Sequence, residues 1–127
     1  MNGYAISYLG AIGLVALINL LPVFGVLSAE RLADGYGVEI ASAELEILLR
    51  HRALLFGIVG GFVLASLWLP AYRGAALLLA GISMVGFLLL ATQVGAYGPA
   101  LGRVVRADIV GVLALVVASL LHVLRSP

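Results

Sequence analysis

The chain contains no cysteine and no lysine, and it has little charge of either sign. The absence of cysteine excludes disulfides, thiolate nucleophiles and thiol redox chemistry. Charged residues make up 10% of the 127 positions and hydrophobic residues 64%. Because a soluble domain of this size would expose far more charge, the composition predicts an integral membrane protein.

All seven basic residues are arginines, and the formal net charge is only +1. So small an excess does not indicate nucleic acid or another acidic polymer as a partner. Arginine presents a planar fork that matches carboxylate or phosphate, whereas lysine presents a point charge. The bias towards arginine has two explanations, a need for this recognition or a GC-rich coding sequence, and composition does not separate them.

Four apolar segments are each long enough to cross a hydrocarbon core of about 30 Å, which takes roughly 20 residues. We therefore expect an all-α fold, a single domain over residues 1–127, in which a four-helix transmembrane bundle is formed by residues 4–27, 43–69, 74–93 and 104–124. Pro22 is expected to bend or end the first span. This span lacks a basic leader and a cleavage site, so we expect it to be retained rather than removed as a signal peptide.

The only extended polar segment is 28–43, which we expect to lie at the membrane interface. Ser28 is predicted to cap a short helix there, and Ser42 to cap the second span. Glu46 and Arg50 are four residues apart with the acid first, an order that favours an ion pair on a helix.

Four crossings place both termini on one face of the membrane, together with the turn around Arg73. Of the charged residues, only Arg73 and Arg125 fall on that face, and five arginines fall on the other. The positive-inside rule then predicts that the charged face is cytoplasmic, with both termini on the opposite side of the cell's inner membrane.

Charge at a membrane surface is costly, so it is normally paired or used. The candidate ligand-binding residues are the polar side chains that the layout brings to the charged face, namely Asn19, Glu30, Arg50, His51, Arg52, Arg103, Arg106 and Asp108. Three interpretations remain open: an ion-pair network that locks the helix ends, a pocket roofed by 28–43 that binds an anionic or polar headgroup, or surface anchoring. Asn19, inside the first span, is either a bridge between packed helices or a ligand contact.

The sequence contains no recognisable metal or cofactor motif. The two histidines are far apart, and there is no His-x-x-x-His, Glu-x-x-His or cysteine pair. A Walker loop and a dinucleotide fingerprint are also missing. We therefore predict no metal, no cofactor and no catalytic constellation.

Small residues recur every four positions along the second span, at Ala53, Gly57, Gly61 and Ala65. Such a stripe lets another helix approach closely, which matters in lipid because burial alone gives no drive to associate. The neighbour is either a helix of the same chain or a partner in a homo-oligomer or larger membrane complex. Membrane lipids are the other expected partners.

Four blocks of the sequence resemble a family of small bacterial four-span membrane proteins, related in architecture to DoxX-like proteins: Leu20–Pro22, Glu30–Gly37, Leu49–Gly57 and Val105–Asp108. The resemblance implies the same four-span architecture and draws attention to the Arg-His-Arg block, but implies no activity. Some members carry the name phosphopantetheine adenylyltransferase. Enzymes of that activity are soluble α/β proteins with a His-x-Gly-His-type motif, which is absent here, so we do not expect it.

These observations predict a non-catalytic accessory or ligand-binding membrane protein with one polar face. The first alternative is a membrane enzyme that acts on a lipid-like or isoprenoid substrate with an anionic group, using His51 or Asp108 as acid or base. The second is a small transporter, which would have to be oligomeric because four short helices leave little room for a water-filled path.

Overall fold

The computed structural model describes residues 2–125, which form helices joined by short turns and contain no strand. The five α-helices are α1 (Gly3–Leu20), α2 (Ala29–Tyr36), α3 (Ala43–Ala65), α4 (Arg73–Val94) and α5 (Pro99–Arg125). Two 3₁₀ segments lie between these helices: Leu21–Val26 between α1 and α2, and Pro70–Tyr72 between α3 and α4. Within the described range, four segments are long and apolar enough to span a membrane: α1 with the first 3₁₀ segment, α3, the second 3₁₀ segment with α4, and α5. The predicted all-α, four-helix membrane bundle is confirmed.

Each long helix packs against its neighbours in sequence, and α5 closes the ring by packing against α1. This is the arrangement expected of an up-and-down bundle with short connections. The interior holds fully buried side chains from every long helix, including Ile12, Val63, Met84 and Ala118. Large aliphatic side chains cover the outside, such as Leu78 and Leu113, which are 66% and 63% exposed. A surface of this kind is suited to lipid and not to water.

The predicted helix ends around the polar segment are confirmed. The α-helical pattern of α1 stops at Leu20 and continues as a 3₁₀ segment that begins beside Pro22. Ser28 Oγ accepts a hydrogen bond from the Arg31 amide at 3.4 Å, and Ser42 Oγ accepts one from the Leu45 amide at 3.1 Å. Gly37 ends α2 in the left-handed conformation, with φ of +63°.

Two boundaries differ from the prediction by more than one residue. Helix α3 ends at Ala65 and not at residue 69, because Ser66 and its neighbours form a turn before Pro70. Helix α5 begins at Pro99 and not at 104. Proline is tolerated in the first turn of a helix, where its missing N–H has no partner in any case. The earlier start places Arg103 within a helix.

The small-residue stripe of α3 contacts the same chain over part of its length. Ala53 is fully buried, and a Cβ added at Gly57 would lie 2.6 Å from Val23 Cγ2. Gly60, which the stripe omits, lies against Leu20, where an added Cβ would come within 2.7 Å of Cγ. Nothing lies within 4 Å of the corresponding point at Gly61. An oligomeric or heteromeric partner on the open part of this face remains a prediction.

At the end of the bundle that holds both termini, here called the terminal end, the two arginines have polar partners. Arg125 Nη2 donates to Asn2 Oδ1 at 2.6 Å. Arg73 donates from Nε to the Ser66 carbonyl and from Nη2 to the Leu67 carbonyl, both at 3.3 Å. Its guanidinium also lies 5.2 Å from the centre of the Tyr8 ring. These contacts close one end of the bundle.

Candidate functional site

The opposite end, here called the polar end, is formed by the first 3₁₀ segment, α2, the start of α3, the end of α4 and the start of α5. At its centre, the guanidinium of Arg52 is surrounded by three aromatic rings. Its carbon lies 4.8 Å from the ring centre of Phe87, 5.0 Å from that of Phe56 and 5.5 Å from that of Tyr36. Rings at these distances attract a cation through their negative faces. They satisfy no hydrogen bond, and Arg52 Nε is buried without a partner within the described part of the chain.

Local sequence explains why these rings meet Arg52. Phe56 follows Arg52 by four residues on α3, so the two share a helix face. On the short helix α2, Leu32 is buried against Gly25, and Tyr36 lies four residues later on the same face. Phe87 comes from α4, which packs beside α3. Three helices therefore each contribute one ring.

Asp108, on α5, is the buried carboxylate of the polar end. The residue is only 4% exposed, and its Oδ2 has no hydrogen-bond partner among residues 2–125. Arg52 attracts it electrostatically, but no salt bridge within 4.0 Å joins them. A buried charge without hydrogen bonds is costly, so this carboxylate is retained at the expense of stability.

A cleft of about 300 Å³, here called the inner cleft, opens beside Asp108 and below α2. It is lined by Ile18, Leu21, Pro22, Gly35, Tyr36, Phe56, Ala100, Arg103, Val104, Ala107 and Asp108. Most of this wall is apolar, and the hydroxyl of Tyr36 is a second buried polar group that has no partner among the described residues. Apolar walls with a few convergent polar groups are typical of small-molecule sites.

The outer cleft, of about 320 Å³, continues from the inner cleft along α2. The two share Leu21, Pro22, Gly35, Tyr36 and Val104. The additional lining of the outer cleft is Phe24, Gly25, Arg31 and Leu32. Together the two clefts form one mostly apolar path between the first 3₁₀ segment, α2 and α5.

A third cleft, of about 300 Å³, lies on the other side of Phe56, between α3 and α4. It is lined by Arg52, Leu55, Phe56, Val59, Ser83, Gly86, Phe87 and Leu90. Phe56 therefore separates this cleft from the inner cleft, and Arg52 lines only the former. The guanidinium is part of the partition between two cavities.

The ion-pair network, one of the three interpretations left open by the sequence, is not found in the part of the chain that the structure describes. Only one salt bridge is formed there, between Arg50 Nη1 and Glu46 Oε1 at 3.1 Å. This pair, expected from the four-residue spacing, is confirmed. Both of its side chains are largely exposed, so it contributes little to stability. The polar end is therefore held together chiefly by packing and by the aromatic contacts of Arg52.

The structure separates the eight candidate site residues into groups. Arg103 and Asp108 line the inner cleft, and Arg52 lies at its partition. Glu30, His51 and Arg106 are exposed and line none of the three clefts. A ligand-binding role for any of the eight remains a prediction.

Arg50 and Asn19 make internal contacts instead. Arg50 Nε donates to the Val26 carbonyl at 2.8 Å, which ties α3 to the first 3₁₀ segment. Asn19 is buried, and its Nδ2 donates to the Val15 carbonyl at 2.8 Å and to Met84 Sδ at 3.5 Å. Asn19 thus bridges α1 and α4 across the bundle, while its Oδ1 stays unpartnered among the described residues.

Tyr36, Phe56 and Phe87 were not among the candidate residues from the sequence. Their signal was weak, because aromatic residues are common in membrane spans and nothing in the sequence pairs these three with Arg52. The four-residue spacing of Arg52 and Phe56 was the only available hint.

In residues 2–125 no group of three or more histidine, aspartate or glutamate side chains is placed to hold a metal ion. Comparison with known proteins gives no match to any family model, curated protein or solved structure.

Proposed function

We propose that this protein is a non-catalytic, ligand-binding membrane protein whose inner cleft holds the polar head of an amphipathic molecule. The main support is that two residues lining one apolar cleft, Asp108 and Tyr36, each carry a buried polar atom that has no hydrogen-bond partner among residues 2–125. Unsatisfied buried polar groups are rare, and a ligand that satisfies them recovers the free energy that their burial costs.

A lipid-like ligand is favoured by what surrounds these two groups. The inner cleft continues into the outer cleft, whose further lining is apolar except for Arg31. Cavities of this size and character lie at the lower end of the range of about 300–1,000 Å³ for small-molecule sites. A hydrocarbon chain would occupy the path below α2 while the head reaches Asp108.

Binding is favoured over catalysis by the placement of the candidate acids and bases. His51 is exposed at the start of α3 and does not line the inner cleft. Asp108 is thus the only carboxylate or imidazole among the residues that line this cleft. General acid–base catalysis of a lipid reaction usually requires a second positioned proton donor or acceptor.

The resemblance to small four-span proteins is part of this proposal. Pro22, Tyr36, Arg52 and Asp108 belong to the four separate blocks that resemble that family. All four lie in the inner cleft or at its partition. We further propose the inner membrane as the location, with the polar end on the cytoplasmic side, because five arginines belong to the polar end and two to the terminal end.

Native mass spectrometry of the full chain, extracted in mild detergent, tests the proposed function. We expect a co-purified lipid-sized adduct on the unmodified chain. Ala107→Leu, which fills the inner cleft, should remove the adduct. Ala75→Leu makes the same change at an exposed position of α4 and should preserve it. A chain that carries no adduct from its native membrane, or an adduct that survives Ala107→Leu, would contradict the proposal.

A further inference from the structure

We infer that the group bound at the base of the inner cleft is the free hydroxyl of a neutral long-chain alcohol. This inference rests on the proposed function and specifies its ligand. It follows from the hydrogen-bonding capacity and the charge of the residues that line the cleft. Both point away from the anionic headgroup that the number of arginines alone would suggest.

The hydrogen-bonding capacity of the two buried groups matches a hydroxyl. In its ionised form the carboxyl group of Asp108 only accepts hydrogen bonds, whereas the Tyr36 hydroxyl both donates and accepts. A ligand hydroxyl has one donor and two acceptor lone pairs, so its hydrogen-bonding capacity complements Asp108 as an acceptor and Tyr36 as a donor. An ether, an ester carbonyl or a fully ionised phosphate has no proton to donate to Asp108.

The local charge disfavours either kind of ion. A phosphate or carboxylate head would approach the buried carboxylate of Asp108, where repulsion is poorly screened. An ammonium head would be attracted by Asp108 but repelled by the guanidinium of Arg52, which lies against the Tyr36 and Phe56 rings of the cleft wall. The opposite charges of Arg52 and Asp108 offset each other, so a neutral head meets the smallest electrostatic cost. Arg103 is exposed, and solvent weakens its influence.

The lining of the path below α2 is suited to an uncharged chain. From the inner cleft, the wall passes from Ile18 and Leu21 to Phe24 and Leu32 of the outer cleft. Two classes of molecule supply a free hydroxyl on such a chain, the isoprenoid alcohols and the diacylglycerols. Both classes carry the free hydroxyl that the cleft would bind, and separate binding measurements distinguish the two classes.

Equilibrium binding to the full chain in nanodiscs tests the inference, with competition against a fluorescent alcohol as the readout. The probes are geranylgeraniol, its methyl ether, its monophosphate and 1,2-dioctanoylglycerol. We expect geranylgeraniol or dioctanoylglycerol to bind about 10- to 100-fold more tightly than the ether, which cannot donate to Asp108. The stronger of the two alcohols identifies the class of chain.

Variants of the two polar residues provide a second measurement. Tyr36→Phe keeps the ring and should weaken alcohol binding about 5- to 10-fold, and Asp108→Ala about 10- to 100-fold. The matched changes Tyr72→Phe and Asp34→Ala alter exposed residues outside the clefts and should leave the affinity unchanged. Circular dichroism of each variant verifies that the helices are retained. The comparison of alcohol with ether uses the unmodified chain and so does not depend on the folding of a variant.

The failure of this inference is distinct from failure of the proposed function. Equal binding of alcohol and ether, or tighter binding of the monophosphate, would show that the bound group is not a free hydroxyl. The cleft would still bind a lipid in that case. Alcohol binding unaffected by both Tyr36→Phe and Asp108→Ala would overturn it as well. If no probe binds and the purified chain also carries no adduct, the proposed function itself is wrong.

Discussion

Arg73 and Arg52 are both partly buried arginines over aromatic rings, but they lie at opposite ends of the bundle and differ in their hydrogen bonds. Arg73 donates to two backbone carbonyls, of Ser66 and Leu67, just beyond the end of α3. Arg52 has three rings around it, and its buried Nε has no acceptor within residues 2–125.

The two arginines therefore differ in how their hydrogen-bond donors are used within residues 2–125. Carbonyls at the end of a helix lack intrahelical partners, so a guanidinium that donates to them completes the fold. Arg73 therefore uses two of its donors, Nε and Nη2, within the chain. The rings around Arg52 hold the cation but use none of its donors, and Asp108 nearby also has unused capacity. Within residues 2–125, three buried polar atoms of the polar end lack a partner, Arg52 Nε, Asp108 Oδ2 and the Tyr36 hydroxyl, whereas the terminal end has one, the Tyr8 hydroxyl beside Arg73.

The comparison is tested most directly by replacing each arginine with methionine. Arg73→Met should lower the free energy of unfolding by about 1.5–3 kcal/mol, because two charge-assisted hydrogen bonds are lost. Arg52→Met should cost about 1 kcal/mol, since the loss of the ring contacts and of the attraction to Asp108 is partly offset by the removal of a buried unpaired donor. Titration with sodium dodecyl sulfate in mixed micelles measures both. A larger loss for Arg52→Met would reverse the assignment of the two ends.

A smaller effect of opposite sign is expected at Asp108. Asp108→Asn keeps the size of the side chain and removes a buried charge, so the ligand-free protein should gain about 1–2 kcal/mol of stability. The same titration measures it, and Asp34→Asn, at an exposed site on α2, should change stability by less than about 0.5 kcal/mol. Destabilisation by Asp108→Asn would mean that attraction to Arg52 outweighs the cost of burying the carboxylate.

The smallest effect concerns Arg50, which lies at the polar end but has its hydrogen bonds satisfied. Arg50→Met should cost about 0.5–1 kcal/mol, because it removes both the bond to the Val26 carbonyl and the exposed pair with Glu46. Glu46→Gln removes the ion pair alone and should cost about 0.3–0.5 kcal/mol. Lipid adducts should be unaffected by either change. Equal losses for the two variants would show that the bond to Val26 contributes nothing.

Much of the fold was predictable because the signals are local. Span lengths follow from hydropathy, and the caps at Ser28 and Ser42 follow from side chains that bond within their own turn. The start of α5 was missed because Pro99 is suited both to a turn between helices and to the first turn of a helix. Local sequence does not distinguish these two uses of proline.

The candidate site was only partly predictable, because its properties depend on contacts between distant segments. The sequence drew attention to Arg52 and Asp108 as charges near the membrane. It gave no indication that Tyr36, Phe56 and Phe87 would surround Arg52, since they come from three helices. Whether a buried polar atom has a partner is a matter of tenths of an ångström, which no residue pattern encodes.

The bond between Arg125 and Asn2 has a practical consequence for studying this protein. Asn2 Oδ1 accepts from both Arg125 and the Ala5 amide, so the first turn of α1 and the last turn of α5 are held side by side. Complementary fragments of a split fluorescent protein, fused to the two extremities through short linkers, would reassemble on one molecule. Whether a membrane-impermeant dye quenches the fluorescence of the reassembled protein would then show on which side of the membrane the two ends of the chain lie.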